Sequence, residues 1–168
     1  TYTATVSGPG GTPTGSITFN DGVTSINASC EAGSSVSLVA GVATCKITYG
    51  TTSGSPHSIT AVYGGDTNHT TSTSSTVSQA VNAAATTTTI ISDSPDPSVV
   101  GQAVTIVYGV SVSAPGAGTA TGTVTVTDAD SLQICFASVA AGSCTIAFTA
   151  VGTHHLTATY GGSSNFSA

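Results

Sequence analysis

Charge is what this sequence most lacks. Only 5% of its 168 residues are charged, compared with roughly 25% in an ordinary soluble domain. Seven carboxylates face a single lysine, Lys46, with no arginine, and the formal net charge is −6. A chain with so few cations cannot neutralise a row of phosphates. We therefore expect no nucleic acid partner.

Long apolar runs are also missing. No segment approaches the roughly 18 apolar residues of a spanning helix, and no basic amphipathic stretch is present to bind an anionic membrane surface. We therefore expect no direct membrane insertion. Thr, Val, Ile and Tyr outweigh the helix formers Leu, Glu, Lys and Met, and this balance predicts an all-β chain.

The sequence repeats itself with a period of about 100 residues. TGSITF at Thr14–Phe19 recurs as TGTVTV at Thr121–Val126. HSITAVYGG, which begins at His57, recurs as HLTATYGG, which begins at His155. Each copy also carries two cysteines and a similar asparagine-containing ending. Two domains are therefore a better reading than one.

Apolar residues alternate with polar ones inside each repeated segment, as in strands with one buried face. Tyr2, Ala4 and Val6 form one such stripe, and Ile17 with Phe19 forms another. Gly, Pro, Asn and Asp turns separate these short segments at intervals typical of an antiparallel sandwich. The expected fold is all-β, with two tandem immunoglobulin-like antiparallel β-sandwich domains.

The predicted domains are residues 1–82 and 83–168. Copy two opens with TTTTIISDSPDPSVVGQ at residues 86–102, for which copy one has no counterpart. Copy one continues beyond YGGDTNHT at residues 63–70 into a strand that copy two lacks. We therefore expect domain 1 to lack its first strand and domain 2 its last. Either the chain belongs to a longer tandem array, or neighbouring subunits supply the strands by β-addition.

The cysteines occupy matching places in the two copies, which predicts one disulfide within each domain. The expected pairs are Cys30 with Cys45 and Cys135 with Cys144. A metal site would need closely spaced Cys-x-x-Cys pairs, which the chain lacks. Disulfides indicate an oxidising compartment, so the expected location is extracellular or the cell surface.

Three Asn-x-Ser/Thr sequons make Asn27, Asn68 and Asn165 candidate glycosylation sites. Covalent glycans would solvate a surface that has little charge. An asparagine in a Gly-rich turn also tolerates left-handed backbone. Both interpretations stay open.

The titratable residues predict neither catalysis nor a bound metal. No distinctive Ser-His-Asp pattern accompanies the four histidines. The adjacent His154 and His155 would point to opposite faces of a strand and could not chelate one ion together. Asp128 and Asp130 could offer oxygens to calcium, although aspartate more often forms turns. We predict a non-enzymatic chain with no cofactor, no metal site and no catalytic residue.

Three features together resemble the bacterial Ig-like repeats that occur in tandem in cell-surface adhesins and extracellular fibres. They are GTPTGSITFNDG at residues 11–22, SPDPSVVGQ at 94–102, and the endings AVYGGDTN and ATYGGSSN at 61–68 and 158–165. The resemblance implies a spacer or fibre role. The cysteine pair in each copy is a departure, because many such repeats lack it.

The sequence therefore favours a structural building block of an extracellular filament or cell-surface stalk, assembled end to end or by strand complementation. Its expected partners are further copies of itself or tandem neighbours. Two alternatives stay open: a carbohydrate- or host-protein-binding adhesin module, and an accessory Ig-like domain of a secreted enzyme. A binding module would need a cluster of exposed aromatics, whereas the five Tyr and four Phe lie mostly at core positions.

Overall fold

A computed structural model describes all 168 residues, and the chain divides into two compact units, Thr1–Val81 and Asn82–Ala168. Apart from two single-turn 3-10 helices, Asn27–Ser29 and Val139–Ala141, every regular element is a β-strand. Every pair of neighbouring strands is antiparallel. The all-β prediction is therefore confirmed.

Unit 1 consists of two sheets. One has the strand order β1-β5-β4, and the other has the order β3-β2-β6-β7, with β8 following β7 along the same edge of β6. The strands are β1 (Tyr2–Thr5), β2 (Ile17–Asp21), β3 (Thr24–Ser25), β4 (Ser35–Val39), β5 (Val42–Cys45), β6 (His57–Tyr63), β7 (Ser72–Thr73) and β8 (Val77–Gln79).

Unit 2 also consists of two sheets. Their strand orders are β13-β10-β9 and β12-β11-β14. The strands are β9 (Thr86–Ser94), β10 (Ala103–Val112), β11 (Thr123–Asp128), β12 (Ile134–Ser138), β13 (Ser143–Ala147) and β14 (Leu156–Tyr160).

Each unit has its own core, which its strands form from alternate residues. On β2, Ile17 and Phe19 are buried while Thr18 between them is exposed. On β11, Val124 and Val126 are buried in the same way. The core of unit 2 is the larger and includes the following buried residues of both sheets and of the C-terminal segment: Val104, Ile106, Tyr108, Ile146, Phe148, Tyr160 and Phe166.

A buried tyrosine fixes the segment before β2 in unit 1 and the segment before β11 in unit 2. The Tyr63 hydroxyl donates to the Thr14 carbonyl at 2.9 Å, and the Tyr160 hydroxyl donates to the Thr121 carbonyl. Each threonine precedes a glycine with positive φ. At Gly122, φ is +114° and an added Cβ would lie 2.8 Å from the Gly162 carbonyl oxygen, so only glycine fits. The Thr-Gly pair therefore recurs because the threonine carbonyl accepts the tyrosine hydrogen bond and the next residue has positive φ.

The disulfides lie within the units. Cys30 pairs with Cys45, with Cα atoms 5.1 Å apart, and Cys135 pairs with Cys144 at 5.8 Å. Cys135 belongs to β12 and Cys144 to β13, which are strands of different sheets. This bridge therefore links the two sheets of unit 2 through neighbouring edge strands.

The edges of the two units differ. In unit 2, β9 covers one edge of β10, whereas no strand pairs with the corresponding edge of β1 in unit 1. Conversely, β7 and β8 pair with the outer edge of β6, whereas β14 pairs with β11 alone. The two repeats therefore share a central framework and differ in their outer strands.

We predict that replacing both Cys135 and Cys144 by serine lowers the free energy of unfolding of unit 2 by about 2.5 kcal/mol. The closed loop is short, with a sequence separation of 9, and chain entropy gives a stabilisation of this size. Urea unfolding of the intact chain, compared with the wild type, measures the loss. An unchanged midpoint would contradict the stabilising role of the bridge.

Tyr160→Phe should lower the free energy of unfolding by about 1 to 2 kcal/mol, because the Thr121 carbonyl loses its donor while the ring still fills the core. The same denaturant titration measures this loss. Tyr63→Phe should give a similar loss in unit 1, since the contact is repeated there. If both variants unfold like the wild type, these hydroxyls do not hold the segments.

Candidate functional site

Each unit places a histidine beside an aspartate at one end of a sheet. Asp21 ends β2, and antiparallel pairing brings it beside the start of β6, where His57 Nδ1 lies 2.5 Å from Asp21 Oδ2. In unit 2, Asp128 ends β11, and His154 Nδ1 lies 2.7 Å from Asp128 Oδ2. Both contacts are within hydrogen-bonding distance.

An aromatic ring stacks on the histidine in both places. The Tyr49 and His57 ring centroids are 4.3 Å apart, and those of Phe148 and His154 are 4.1 Å apart. We call each set an Asp–His–aromatic cluster. The cluster of unit 1 is Asp21, His57 and Tyr49, and that of unit 2 is Asp128, His154 and Phe148.

Strand register corrects one detail of the sequence repeat. Asp21 lies opposite Ile59, and Asp128 lies opposite Leu156. The residue two positions before Ile59 is His57, and the residue two positions before Leu156 is His154. The alignment of His57 with His155 is therefore wrong by one residue, because HSITAVYGG has one letter more than HLTATYGG.

In the unit 2 cluster, Asp128 and His154 each shift the pKa of the other. Burial is the largest influence on Asp128 and raises its pKa, but hydrogen bonds from the Ser131 hydroxyl, the Asp130 backbone N–H and His154 together lower the pKa below its ordinary value. The pKa of His154 is raised, chiefly by its hydrogen bond to Asp128 and also by the Ala150 carbonyl. Its other ring nitrogen, Nε2, lies 3.2 Å from that carbonyl oxygen. Both ring nitrogens thus face acceptors, which favours imidazolium.

In the unit 1 cluster, hydrogen bonds likewise lower the pKa of Asp21. The hydrogen bond from His57 is the main cause that lowers the pKa of Asp21, and the Ser58 backbone N–H also donates to this carboxylate at 2.9 Å. His57 Nε2 is buried and has no hydrogen-bond partner.

These clusters do not have the geometry of a general base. A catalytic histidine must present its second nitrogen to a substrate. In unit 1 that nitrogen is buried, and in unit 2 it faces a backbone carbonyl. No group of three or more His, Cys, Asp or Glu side chains is arranged to hold a metal ion. The Asp–His hydrogen bonds instead join the end of one strand to the start of its neighbour.

A third aspartate fastens the turn after β6. Asp66 accepts hydrogen bonds from the Thr14 backbone N–H, the Thr14 hydroxyl, the Asn68 N–H and His69 Nδ1. The Thr14 N–H is the main cause that holds the pKa of Asp66 well below its usual range. This turn is therefore joined to the segment before β2. Unit 2 has Ser163 in place of Asp66.

The three sequon asparagines lie in different surroundings. The Asn27 side chain accepts from the Phe19 N–H at 2.8 Å and donates to the Ile17 carbonyl at 2.9 Å, so its amide bridges the backbone of β2. Asn68 is exposed, and Asn165 is half-buried. Glycosylation at these residues stays a prediction.

Sequence reasoning did not predict the clusters. It treated Asp128 as a turn residue or calcium ligand, and it assigned no role to Asp21. The sequence did contain one signal. An aspartate follows both TGSITF and TGTVTV at the same distance: Asp21 in the first copy and Asp128 in the second. Finding the partner histidines required the strand register.

The pKa directions fix how the unit 2 cluster contributes to stability. His154 has a raised pKa in the folded chain, so its contribution is fully present below its ordinary pKa of about 6.5 and is lost as pH rises through the raised value. Asp128 has a lowered pKa, so its contribution is present above about pH 3.9 and is lost as pH falls through the lowered value. The cluster therefore stabilises most between these two limits.

We predict that Asp128→Asn lowers the pKa of His154 toward its ordinary value, because the amide removes the negative charge that favours imidazolium. An NMR titration of the histidine ring protons in the intact chain measures this shift. Asp130→Asn is the matched control and should lower the pKa of His154 less, since Asp130 acts on it only by charge at a distance. Equal shifts in both variants would contradict the assigned pair.

Comparison with known proteins agrees with the fold. The family model described as bacterial Ig-like domain (group 3) matches residues 1–82 and again residues 91–168. No curated protein and no solved structure gives a match. No helix in the structure is long and apolar enough to cross a membrane. The two matches cover nearly the whole chain and confirm the predicted tandem sandwiches: the chain belongs to the bacterial Ig-like domain family, group 3.

Proposed function

We propose that this chain is a structural building block of an extracellular filament or cell-surface stalk. Bacterial Ig-like domains are cell-surface or extracellular modules and are typically non-enzymatic. Two disulfides favour the same oxidising location. The proposal adds a mechanical role and a mode of assembly to this family assignment.

The observation that carries the proposal is the succession of two self-contained domains along the chain. Unit 1 ends at Val81 and unit 2 begins at Asn82, and each has its own apolar core and its own disulfide. Besides tyrosines, the two polar residues buried in the cores are His57 and Asp128, and both belong to the clusters that fasten strand ends. Domains that each fold around a separate core can be repeated in series.

The surface supports a durable extracellular role. Lys46 is the only site for proteases that cleave after lysine or arginine, and its Nζ lies 3.0 Å from Glu31 Oε2. Low charge also weakens the repulsion that normally keeps protein surfaces apart. We therefore propose further copies of this chain or tandem repeats as its partners, with glycans attached covalently as a second way to solvate the surface.

A second candidate function is an adhesin module that binds carbohydrate or a host protein, and one observation favours it. Phe136 on β12 is 68% exposed, whereas the other three phenylalanines are buried. Ile134 lies two residues earlier on this strand and is 59% exposed, so both side chains point to the same side. An exposed apolar stripe on an edge strand is a surface that a partner could cover.

Immunogold electron microscopy of native cells with antibodies against this chain tests the structural role. We expect gold particles along regular fibres or stalks, because a building block is present throughout their length. Label confined to isolated particles would contradict the proposal. A glycan array and a host-cell binding assay with wild type and Phe136→Ser test the alternative: binding that the substitution abolishes would favour the adhesin.

A further inference from the structure

The strand β12 of unit 2 has a free edge. It pairs with β11 on one side, and no strand pairs with its other side. Its neighbours in the chain, β11 and β13, belong to the framework of unit 2, so this edge lies in the middle of the repeat. The strands that follow the framework in unit 1, β7 and β8, pair with β6, the counterpart of β14. Strands in that position lie on the far side of the sheet from β12.

Unit 1 has no comparable edge. β3 lies beside β2 as β12 lies beside β11, but it has only two residues, Thr24 and Ser25. The chain then crosses to the other sheet, where β4 pairs with β5. β12 instead stays beside β11 over five residues. The long free edge is therefore a feature of unit 2.

The backbone of β12 presents unpaired groups at this edge. The Asp128 N–H donates to the Gln133 carbonyl at 2.9 Å, across the pair of β11 and β12. Antiparallel strands direct the N–H and C=O groups of alternate residues to opposite neighbours. Cys135 therefore faces β11, whereas Ile134 and Phe136 direct their N–H and C=O groups to the free edge.

This edge has none of the features that normally prevent one sheet from pairing with another. Natural edge strands are protected by charge, by proline, by a bulge or by being very short. The sequence of β12, ICFAS, has no charge and no proline, and its pairing with β11 is regular along its whole length. Ile134 and Phe136 also expose apolar side chains on the outer face of the sheet. Unpaired backbone groups beside exposed apolar side chains are the combination that β-addition uses.

We propose that β12 is a contact between two copies of this chain, in which the two β12 strands pair antiparallel across a two-fold axis. Ile134 of each copy lies opposite Phe136 of the other, and Cys135 lies at the axis. The inference rests on the proposed structural role, since it names a surface through which copies join. An interface of this symmetry closes on itself, so it joins chains side by side in pairs and does not by itself extend a row.

The free groups of β12 select this register. With Ile134 opposite Phe136, every unpaired backbone group of these two residues gains a partner in the other copy. A register centred on Phe136 would instead pair Ile134 with Ser138, whose carbonyl already accepts from the Tyr108 hydroxyl at 2.9 Å. The selected register also places an aromatic side chain beside a β-branched one, which is a stabilising cross-strand pair.

Charge favours a second copy as the occupant of this edge. The chain has a net charge of −6, so a contact between two copies has to keep their carboxylates apart. Residues 131–168 contain no Asp, Glu, Lys or Arg, and the nearest acidic residue before β12 is Asp130. Antiparallel pairing places the two Asp130 residues on opposite sides of the axis, roughly 30 Å apart. An uncharged edge also offers nothing that a charged partner could recognise.

Analytical ultracentrifugation of the intact chain tests whether this dimer forms. An interface made by one pair of strands is small, so we expect a weak dimer with a dissociation constant on the order of 10⁻⁴ M. Hydrogen exchange followed by NMR locates the contact. The amides of Ile134 and Phe136 should exchange roughly fivefold more slowly at about 1 mM chain than at about 10 µM, because most copies are then paired. The amide of Val77, on a strand of unit 1, should exchange equally at both concentrations.

Two variants remove the contact in different ways. Ile134→Lys places a charge on the edge, as natural edge strands do, and the two lysines of a dimer would repel each other across the axis. Phe136→Pro removes one N–H that faces the edge without touching the pairing with β11. Both variants should stay monomeric at about 1 mM chain, where the wild type is mostly dimeric. If Phe136→Pro does not fold, Ile134→Lys still decides.

Val99→Ser is the matched control. Val99 is an exposed apolar residue outside β12, so this variant should dimerise like the wild type. An equal loss of dimer in Val99→Ser and Ile134→Lys would mean general stickiness and would overturn the inference.

Three further results would overturn the inference. The first is a wild-type chain that stays monomeric at about 1 mM, and the second is a dimer in which the exchange of Ile134 and Phe136 does not change. The third is a monomeric chain that binds a glycan or another protein through Phe136, which would favour the adhesin. A monomeric chain would leave the microscopy result unaffected, and the absence of fibres would leave dimer formation unaffected, so the two proposals can fail separately.

Cross-linking tests the register. Residues opposite each other in a hydrogen-bonded antiparallel pair have Cα atoms about 5.5 Å apart, a distance that a disulfide can span. A mixture of Ile134→Cys and Phe136→Cys chains should therefore form disulfide-linked dimers roughly fivefold faster than either variant alone, because only the unlike positions lie opposite each other. Equal rates in the mixture and in the separate variants would contradict the proposed pairing.

Discussion

Burial of alternate strand residues between two facing sheets is the interaction on which the rest of this structure depends. Ile17 and Phe19 in unit 1, and Val124 and Val126 in unit 2, have almost no solvent exposure, and apolar burial is the main favourable contribution to folding. A chain with 5% charged residues gains little from ion pairs. Its strand ends are instead fastened by disulfides, by tyrosine hydroxyls and by Asp–His–aromatic clusters, each repeated in both units.

The two repeats differ mainly in their outer strands. The pairing of β2 with β6 keeps the register of β11 with β14, whereas the outer strands β9, β7 and β8 each have no counterpart in the other unit. The outer strands are therefore the part of the fold that the two repeats do not share.

Sequence predicted those parts of the fold that depend on local patterns. The alternation of Ile17 and Phe19 indicated β2, and the recurrence of TGSITF as TGTVTV indicated a shared framework. It did not reveal the Asp–His pairs, because they join strands far apart in the chain and depend on a register that loop lengths decide. The one-residue error at His154 has the same cause.

The central claim is that each repeat is a self-contained sandwich closed by its own bridge, and digestion of the unreduced chain before aspartate residues tests it most directly. All four cysteines would fall in two peptides, residues 21–65 and 130–168, with two in each. Mass spectrometry should find these peptides separate, each lighter by two hydrogens than its reduced form. A single species that joins them would show bridges between the repeats and contradict the account.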